Sequence, residues 1–349
     1  MAIAAAKEWV TGWCNGHVRL TPVSAAESAT ARRQLLLVAA ISLCLGQPTV
    51  AQTPTGRVAA AGEPITSIPS APDQDRRQVE LGERLFHDRR LSHDNTRSCS
   101  SCHDTNTNGA SANRQELTPD GRPIELNTPT VFNAALSFRL NWEGNYRTLE
   151  SHAEQTLRRP EIMASNLEEA LNKLRFDPEI SKQFRETFGR EIDGAGLLAA
   201  ISAYERSLLT PGGRFDLWLG GDATAITPEE IAGYQLFKSL GCISCHQGVN
   251  VGGNMFQRHG IFHPLASPEP EVLRVPSLRN VAVTPPYFHD GSAATLFEAV
   301  KAMGYAQLDR VLTDDQTAAI VAFLKTLTGT YLGKPLTPAT AASQGDAPQ

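Results

Sequence analysis

The hydrophobic positions of this chain recur mostly at helical spacing, and alternating strand patterns are scarce. Leu81, Leu85 and Phe86 lie at mixed helical spacing within residues 76–87, and residues 197–209 form a longer apolar run of the same kind. We therefore predict a mostly α-helical protein whose helices are joined by long loops.

Three predicted helix starts carry recognisable caps. Thr227-Pro-Glu-Glu230 combines a capping threonine, a proline in the first turn and a glutamate three residues after the cap. Thr313-Asp-Asp-Gln316 repeats the threonine and the polar residue three positions later, and Asn166-Leu-Glu-Glu169 opens a further helix.

Changes in composition divide the chain into segments. Residues 52–74 are rich in Pro, Ala, Thr and Gly, which is typical of a linker, and glycines near residues 211–227 indicate a junction between two domains. The predicted segments are a leader with an export signal (1–51), a linker (52–74), an N-terminal domain (75–220), a C-terminal domain (221–335) and a disordered tail (336–349).

The leader has the features of an export signal. Arg32-Arg33 forms a positive region, residues 35–45 are apolar, and Thr49-Val-Ala51 offers the small residues that suit cleavage. The apolar run is too short for a comfortable membrane span, and an uncleaved anchor helix is the alternative. The stretch before Arg32 is longer than usual, which favours a true start downstream of Met1.

The size and net charge of the chain limit the classes of function that it can have. The 349 residues suit two domains, and 41% hydrophobic with 20% charged residues is ordinary for a globular protein. The formal net charge of -5 and the lack of a basic run argue against nucleic acid as a partner.

Four of the six cysteines belong to two Cys-x-x-Cys-His motifs, Cys99-Ser-Ser-Cys102-His103 and Cys242-Ile-Ser-Cys245-His246. This pattern is typical of c-type haem attachment, in which two thiols form thioethers with the haem and the histidine ligates iron. A dithiol redox pair or a zinc site is the alternative. The histidine after each pair, the repetition and the export signal favour two covalently bound haem c groups. Cys14 and Cys44 lie in the leader.

Each motif follows the same short pattern. Gly82-Glu-Arg-Leu85-Phe86 precedes the first motif, and Gly233-Tyr-Gln-Leu236-Phe237 precedes the second. A Gly-x-x-Leu-Phe pattern arises easily by chance, so it is informative only because each copy leads into a haem motif. We predict two haem domains of similar build.

The residue opposite each histidine decides the chemistry of the iron. A methionine ligand raises the reduction potential, whereas an open position allows a small molecule to bind and react. No histidine or methionine lies between His103 and His152, so the first haem has no sixth ligand in its nearby loop. Met255 and Met303 follow the second motif, although core packing is the commoner role of a helix methionine.

From residue 81 to residue 329 the sequence resembles the bacterial di-haem cytochrome c peroxidases. The resemblance rests on the two haem motifs and on short motifs spread over both predicted domains. These are Arg90-Leu-Ser92, Asn127-Thr-Pro-Thr-Val-Phe-Asn133, Trp142-Glu-Gly144, Phe215-Asp-Leu217, Pro276-Ser-Leu-Arg-Asn280, Thr284-Pro-Pro-Tyr-Phe-His-Asp-Gly291, Met303-Gly304 and Ile320-Val-Ala-Phe-Leu-Lys325.

The resemblance implies a fold of two cytochrome c-like haem domains, with the active site near their interface. It implies a peroxidatic haem on His103 and an electron-transferring haem on His246, with Met303 as the sixth ligand of the second haem. Trp142 matches a tryptophan that lies between the haems in the family, and packing in the core is its alternative role.

The resemblance also implies a calcium ion and partners. The ion would be held between the domains by Asn127 and by the backbone carbonyls of Thr284 and Pro286, although a lone asparagine is also common in turns. The expected partners are hydrogen peroxide and a small electron-donor protein, a cytochrome c or a cupredoxin, in the periplasm. A homodimer is expected by analogy alone.

Two departures from the family pattern stand in the first domain. Residues 104–126 lack the histidine that blocks the peroxidatic iron in most members, so we expect an open first iron that needs no reductive activation. His152 stands where the family has a glutamine, and Ile162 falls on its glutamate, with Glu161 adjacent. His152 and Glu161 are our candidates for moving the peroxide proton, and solvated helix residues are the alternative.

These inferences favour a di-haem peroxidase that reduces hydrogen peroxide to water with electrons from a small redox protein. One rival is a MauG-like oxidase of a protein or organic substrate, which the open first haem favours. The member that matures the quinone cofactor of methylamine dehydrogenase has a tyrosine on its second haem, so Met303 counts against a close match. The other rival is a non-catalytic electron carrier, which would need a sixth ligand on the first iron.

Overall fold

The computed structural model describes residues 62–340, and this part of the chain is predominantly helical, as predicted. None of the helices in this range is both long and apolar enough to cross a membrane. The predicted leader and export signal lie outside the described residues. The helices are Arg76–Phe86 (α1), Leu149–Arg158 (α2), Leu167–Leu174 (α3), Pro178–Phe188 (α4), Gly194–Ser207 (α5), Arg214–Leu219 (α6), Pro228–Ser239 (α7), Leu296–Leu308 (α8) and Asp314–Lys325 (α9).

Four short strands form two separate antiparallel pairs, β1 with β2 and β3 with β4. Residues 87–148 contain no helix beyond single 3-10 turns, and they carry the first haem motif, which agrees with the predicted long loops. The strands are Phe256–Arg258 (β1), Val272–Arg274 (β2), Thr330–Tyr331 (β3) and Lys334–Pro335 (β4).

The three capped helix starts are confirmed. Thr227 and Thr313 each accept a hydrogen bond from the backbone N–H three residues later. The side chains of Glu230 and Gln316 in turn accept from the backbone N–H of the cap, which completes a capping box at α7 and α9. Asn166 caps α3 by accepting from the backbone N–H three residues later.

In the first lobe (α1 to α5), α1 crosses α5 at Gly82. A Cβ at this position would lie 1.9 Å from the carbonyl oxygen of Ala200, so only glycine lets the two backbones approach this closely. Apolar side chains from α1 to α5 bury themselves around the crossing and form the core of the lobe. These core residues include Leu81, Leu85, Leu157, Leu171, Leu174, Ile180, Phe184, Leu197 and Ile201.

In the second lobe (α6 to α9), α7 crosses α9 at Gly233 in the same way. A Cβ there would lie 1.9 Å from the carbonyl oxygen of Ala319. The rings of Phe215, Tyr234 and Phe323 pack beside the crossing, with centroids 4.8 to 5.2 Å apart. The repeated Gly-x-x-Leu-Phe pattern therefore marks the same helix crossing in both lobes.

Two segments pack in the second lobe although composition predicts them elsewhere. α6 falls within the predicted N-terminal domain (75–220), yet Phe215 and Trp218 are buried in the core of the second lobe. Ile65, within the predicted linker (52–74), is buried in the same core and is flanked by backbone hydrogen bonds to the loop after the second haem motif. The boundary between the two cores therefore lies before α6. Ile65 joins the second core because an apolar side chain gains free energy from burial even in a Pro- and Gly-rich segment.

The predicted disordered tail (336–349) also begins with a packed residue. Leu336 follows β4 and is buried in a third cluster, together with Phe132 and Tyr204. The first residue of the predicted tail is therefore part of a hydrophobic cluster. Residues 341–349 lie outside the described range.

Candidate active site

Each haem motif begins with a single 3-10 turn, Cys99–Ser101 in the first lobe and Cys242–Ser244 in the second. The backbone N–H of His103 donates to the first cysteine carbonyl of its motif at 3.0 Å, and that of His246 does the same at 3.1 Å. These hydrogen bonds span four residues, so they gather the two thiols and the imidazole of each motif on one turn, as attachment to a single porphyrin requires.

The loop after each motif orients its imidazole. Nδ1 of His103 donates to the carbonyl of Gly109 at 3.1 Å, and Nδ1 of His246 donates to the carbonyl of Val251 at 3.2 Å. Because a carbonyl only accepts, Nδ1 carries the proton and Nε2 keeps a lone pair for a metal. Burial lowers the pKa of both rings, that of His246 to about 4, so both are neutral near pH 7.

Both motifs open into one continuous cavity of about 640 Å³, which their cysteines and histidines line together with many apolar side chains. Burial raises the pKa of Cys99 and Cys102 to about 12, so these groups are thiols and lack the thiolate that a reactive dithiol pair needs. Within residues 62–340 no group of three or more His, Cys, Asp or Glu side chains is arranged to hold a metal ion. Paired thiols, a free imidazole lone pair and apolar walls fit haem c.

Only one of the two candidate methionines reaches the cavity. Met303 lies on α8 and lines the cavity together with His246, whereas Met255 does not line it. The carbonyl of Met255 accepts a hydrogen bond from Val275 next to β2, so that residue serves the backbone of a strand pair. The geometry therefore favours Met303 over Met255 as a thioether ligand.

Trp142 is buried in the cavity wall and fixed at two points. Its Nε1 donates to the carbonyl of Asn127 at 2.8 Å, and its own carbonyl accepts from the backbone N–H of Arg274 at 2.8 Å. The indole also meets the ring of His289 edge-on, with centroids 6.3 Å apart. These contacts join a loop of the first lobe to β2.

The three residues predicted to bind calcium line the same cavity. Asn127 is buried, and its Nδ2 donates to the carbonyls of Asn113 and Arg114 at 3.2 and 3.1 Å. Since the amide nitrogen makes these bonds, the side-chain oxygen is left to act as an oxygen ligand. Thr284 and Pro286 line the cavity as well.

His152 projects from α2 into the cavity. Its ring packs edge-on against Tyr146, with centroids 5.3 Å apart. Burial lowers the pKa of His152 to about 4, and the positive charges of Arg159 and Arg274 act in the same direction. The imidazole is therefore a neutral group near pH 7, able to accept a proton.

Glu161, the other candidate for moving the peroxide proton, lies in the turn after α2. Its carboxylate does not line the cavity, and it pairs with the guanidinium of Arg159 at 2.7 Å. Ile162 lines the cavity in its place. The carboxylate of Glu161 is instead engaged by charge-assisted hydrogen bonds to Arg159, which does line the cavity.

Two charged residues of the cavity wall carry no signal in the sequence. Glu205, on α5, has a buried Oε2 without a hydrogen-bond partner, and burial together with the charge of Glu150 raises its pKa to about 8. Arg274, 8% exposed, donates from its guanidinium only to the carbonyls of Asn141 and Val275 among the described residues. A buried cation normally has an anionic partner, which a haem carboxylate would supply.

Two oriented histidines, two thiol pairs and a shared cavity define a di-haem c-type cytochrome with an enzyme-like pocket. Residues 76–224 match the family described as di-haem cytochrome c peroxidase, and residues 231–328 match the cytochrome c family. The chain is 38% identical to the cytochrome c551 peroxidase of Nitrosomonas europaea, over 85% of this chain and 92% of that protein. It is 37% identical to the cytochrome c peroxidase Ccp of Escherichia coli, over 77% of this chain and 62% of that protein. The chain therefore belongs to the di-haem cytochrome c peroxidase family.

MauG proteins are more distant relatives. The methylamine utilization protein MauG of Methylorubrum extorquens is 26% identical over 91% of this chain and 93% of that protein. The crystal structure of a MauG-like protein associated with microbial copper homeostasis superposes with a TM-score of 0.65 at 27% identity, covering 76% of this chain and 93% of the other. The higher identity to peroxidases confirms the predicted enzyme class, and membership of the family makes haem c the cofactor.

Proposed function

We propose that this protein reduces hydrogen peroxide to two waters at a haem held by Cys99, Cys102 and His103. One peroxide takes up two electrons and two protons, and its O–O bond breaks. When bound, the haem iron supplies the redox chemistry of that cleavage. The observation that carries the proposal is a neutral imidazole, His152, in the same buried cavity as the free Nε2 of His103.

His152 is the proposed acid–base group. A neutral imidazole can accept the proton of one peroxide oxygen and return it to the other oxygen, which then leaves as water. The packing of its ring against Tyr146 limits its rotation, and a proton-transfer group needs such a fixed position. Glu161 has no such part in the proposal, because its carboxylate is held by Arg159.

Electrons are proposed to enter through a second haem, which Cys242, Cys245, His246 and Met303 hold, and to reach the first by way of Trp142. The buried position of Trp142 in the wall of the shared cavity supports this route. The donor would be a small redox protein, a cytochrome c or a cupredoxin, in the periplasm.

A bound calcium ion is proposed to tie the two lobes together. Its ligands would be the side-chain oxygen of Asn127 and the backbone carbonyls of Thr284 and Pro286, and all three residues line the cavity. An ion with these ligands joins a first-lobe loop to the segment before α8, so it would hold both haem sites in a fixed relation.

A MauG-like oxidation of a protein or organic substrate is the second candidate. It is favoured by residues 104–126, which hold no histidine that could close the first iron, and by the likeness to a MauG-like structure at 27% identity. The position of Met303 on the cavity wall favours the peroxidase, because a thioether raises the reduction potential of a haem that receives electrons.

The optical spectrum of the oxidised holoprotein separates these candidates from an electron carrier. We expect one high-spin and one low-spin haem, and turnover of peroxide with reduced cytochrome c. If His152 ligates the first iron instead of acting as a base, both haems will be low-spin and the protein will ignore peroxide, which contradicts the proposal. Peroxide consumption that requires an organic substrate in place of a donor protein would favour the MauG-like activity.

Met303 and Met255 provide a matched pair of variants for the second haem. Met303→Ala should convert the low-spin haem to high-spin and slow electron entry, because the thioether ligand is lost. Met255→Ala removes a methionine that does not line the cavity, so its spectrum should match the wild type. Identical spectra for all three proteins would refute the ligand assignment.

A further inference from the structure

The helix that carries His152 presents one continuous face to the cavity. Leu149, His152, Ala153 and Thr156 all line it, at the spacing of three and four residues that places side chains on one side of a helix. Arg159 follows directly after α2 and also lines the cavity, seven residues beyond His152. His152 and Arg159 therefore both line the cavity, about two helical turns apart along α2.

Glu161 fixes the guanidinium in this position. Nε and a terminal nitrogen of Arg159 both lie 2.7 Å from Oε1 of Glu161. The preceding residue, Arg158, points elsewhere, because it pairs with Glu154 one turn back on α2 and does not line the cavity. Two adjacent arginines of equal charge thus have different environments.

The electrostatics at this end of the cavity favour negative charge. Two cations, Arg159 and Arg274, act on His152, and the carboxylate of Glu161, which pairs with Arg159, does not line the cavity. Cleavage of a peroxide places negative charge on the departing oxygen before that oxygen is protonated. A fixed cation aimed at such charge stabilises the transition state more than the ground state.

We propose that Arg159 is a catalytic residue of the first haem site, which stabilises the departing peroxide oxygen while His152 transfers the proton, and that Glu161 is the residue that positions Arg159. The inference rests on the proposed peroxidase function. As the O–O bond breaks, His152 would carry the proton of one peroxide oxygen to the departing oxygen, which leaves as water. Two electrons from the reduced donor protein and two protons from solvent complete the second water.

Two measurements on the oxidised holoprotein test this role without an electron donor. The first is the second-order rate constant for the reaction with peroxide, by stopped-flow. The second is the affinity for sodium fluoride, an anion that reports positive charge beside an open iron. Arg159→Leu should lower the rate constant and the fluoride affinity by about 10-fold to 100-fold. A fully buried arginine would give a larger loss, but the side chain of Arg159 is 37% exposed to solvent.

Three variants control for folding and for general charge. Arg158→Leu removes the same charge one residue away, and we expect both measurements to stay within about twofold of the wild type. Arg159→Lys should recover part of the fluoride affinity, because it restores the charge without the fork of donors. Glu161→Gln should lower the rate constant for peroxide less than Arg159→Leu does, since the guanidinium stays but is no longer held in place.

The outcomes separate this inference from the proposed function. If the wild type reacts with peroxide but Arg159→Leu matches it, the inference is overturned while the peroxidase proposal stands. If Arg158→Leu and Arg159→Leu lowered the rate constant and the fluoride affinity equally, the cause would be general surface charge. That result would also overturn the inference. A wild type that neither reacts with peroxide nor binds fluoride would overturn the proposed function itself.

Discussion

Replacing Gly233 by alanine tests how closely α7 and α9 must pack. The added Cβ would lie 1.9 Å from the carbonyl oxygen of Ala319, whereas real Cβ atoms keep at least 3.0 Å, so the helices must separate by more than 1 Å. Overpacking of this kind costs about 1–3 kcal/mol, while an unconstrained alanine in a helix interior would stabilise by about 1 kcal/mol. Because a backbone carbonyl cannot rotate away, we take the cost at its upper end, about 3 kcal/mol, and expect a net loss of about 2 kcal/mol in the free energy of unfolding.

Guanidinium unfolding of the holoprotein, followed by circular dichroism, measures this change. Gly194→Ala is the control, because the new Cβ at the start of α5 would meet only a methyl group of Leu167 at 3.2 Å, and its effect should stay below about 1 kcal/mol. Gly82→Ala should behave like Gly233→Ala, since it makes the same clash with Ala200 in the first lobe. Unfolding free energies of both crossing variants at or above the wild-type value would refute the role of the repeated glycine.

Three further predictions concern buried charge and the proposed calcium site. Burial raises the pKa of Glu205 from 4.5 to about 8 in the folded protein, so its stabilising effect is complete below pH 4.5 and is lost as pH rises. The wild type should lose about 1.4 kcal/mol of unfolding free energy per pH unit between about pH 5 and pH 8, and Glu205→Gln should remove this slope in denaturant titrations. Asp216→Asn leaves the fully buried guanidinium of Arg279 without its carboxylate, now at 2.8 Å, and should cost about 3–5 kcal/mol, with a loss below about 1 kcal/mol contradicting the pairing. Asn127→Ala should weaken calcium binding, measured by calorimetry on the holoprotein, by about tenfold or more, and unchanged affinity would place the ion elsewhere.

Features that depend on neighbours in the chain could be predicted from the sequence. The capping residues Thr227 and Thr313 act on N–H groups three positions away, and each haem motif lies within a single turn. The repeated glycines were also visible, because each stands at a set distance before its motif. Both haem motifs follow from such short-range patterns, whereas the helix crossings at the two glycines join residues far apart in the chain.

Features that depend on which distant segments meet were decided by the tertiary structure alone. Met303 and Met255 are equivalent as residues, and only the packing of α8 brings the first of them to the cavity. Glu161 and Arg159 are two positions apart, yet only Arg159 is among the residues that line the cavity. Burial of Ile65 in the second lobe likewise depends on contacts far along the chain. The physical reason is that capping and motif geometry come from local hydrogen bonds, whereas burial, pKa and cavity position come from long-range packing, which no short stretch of sequence specifies.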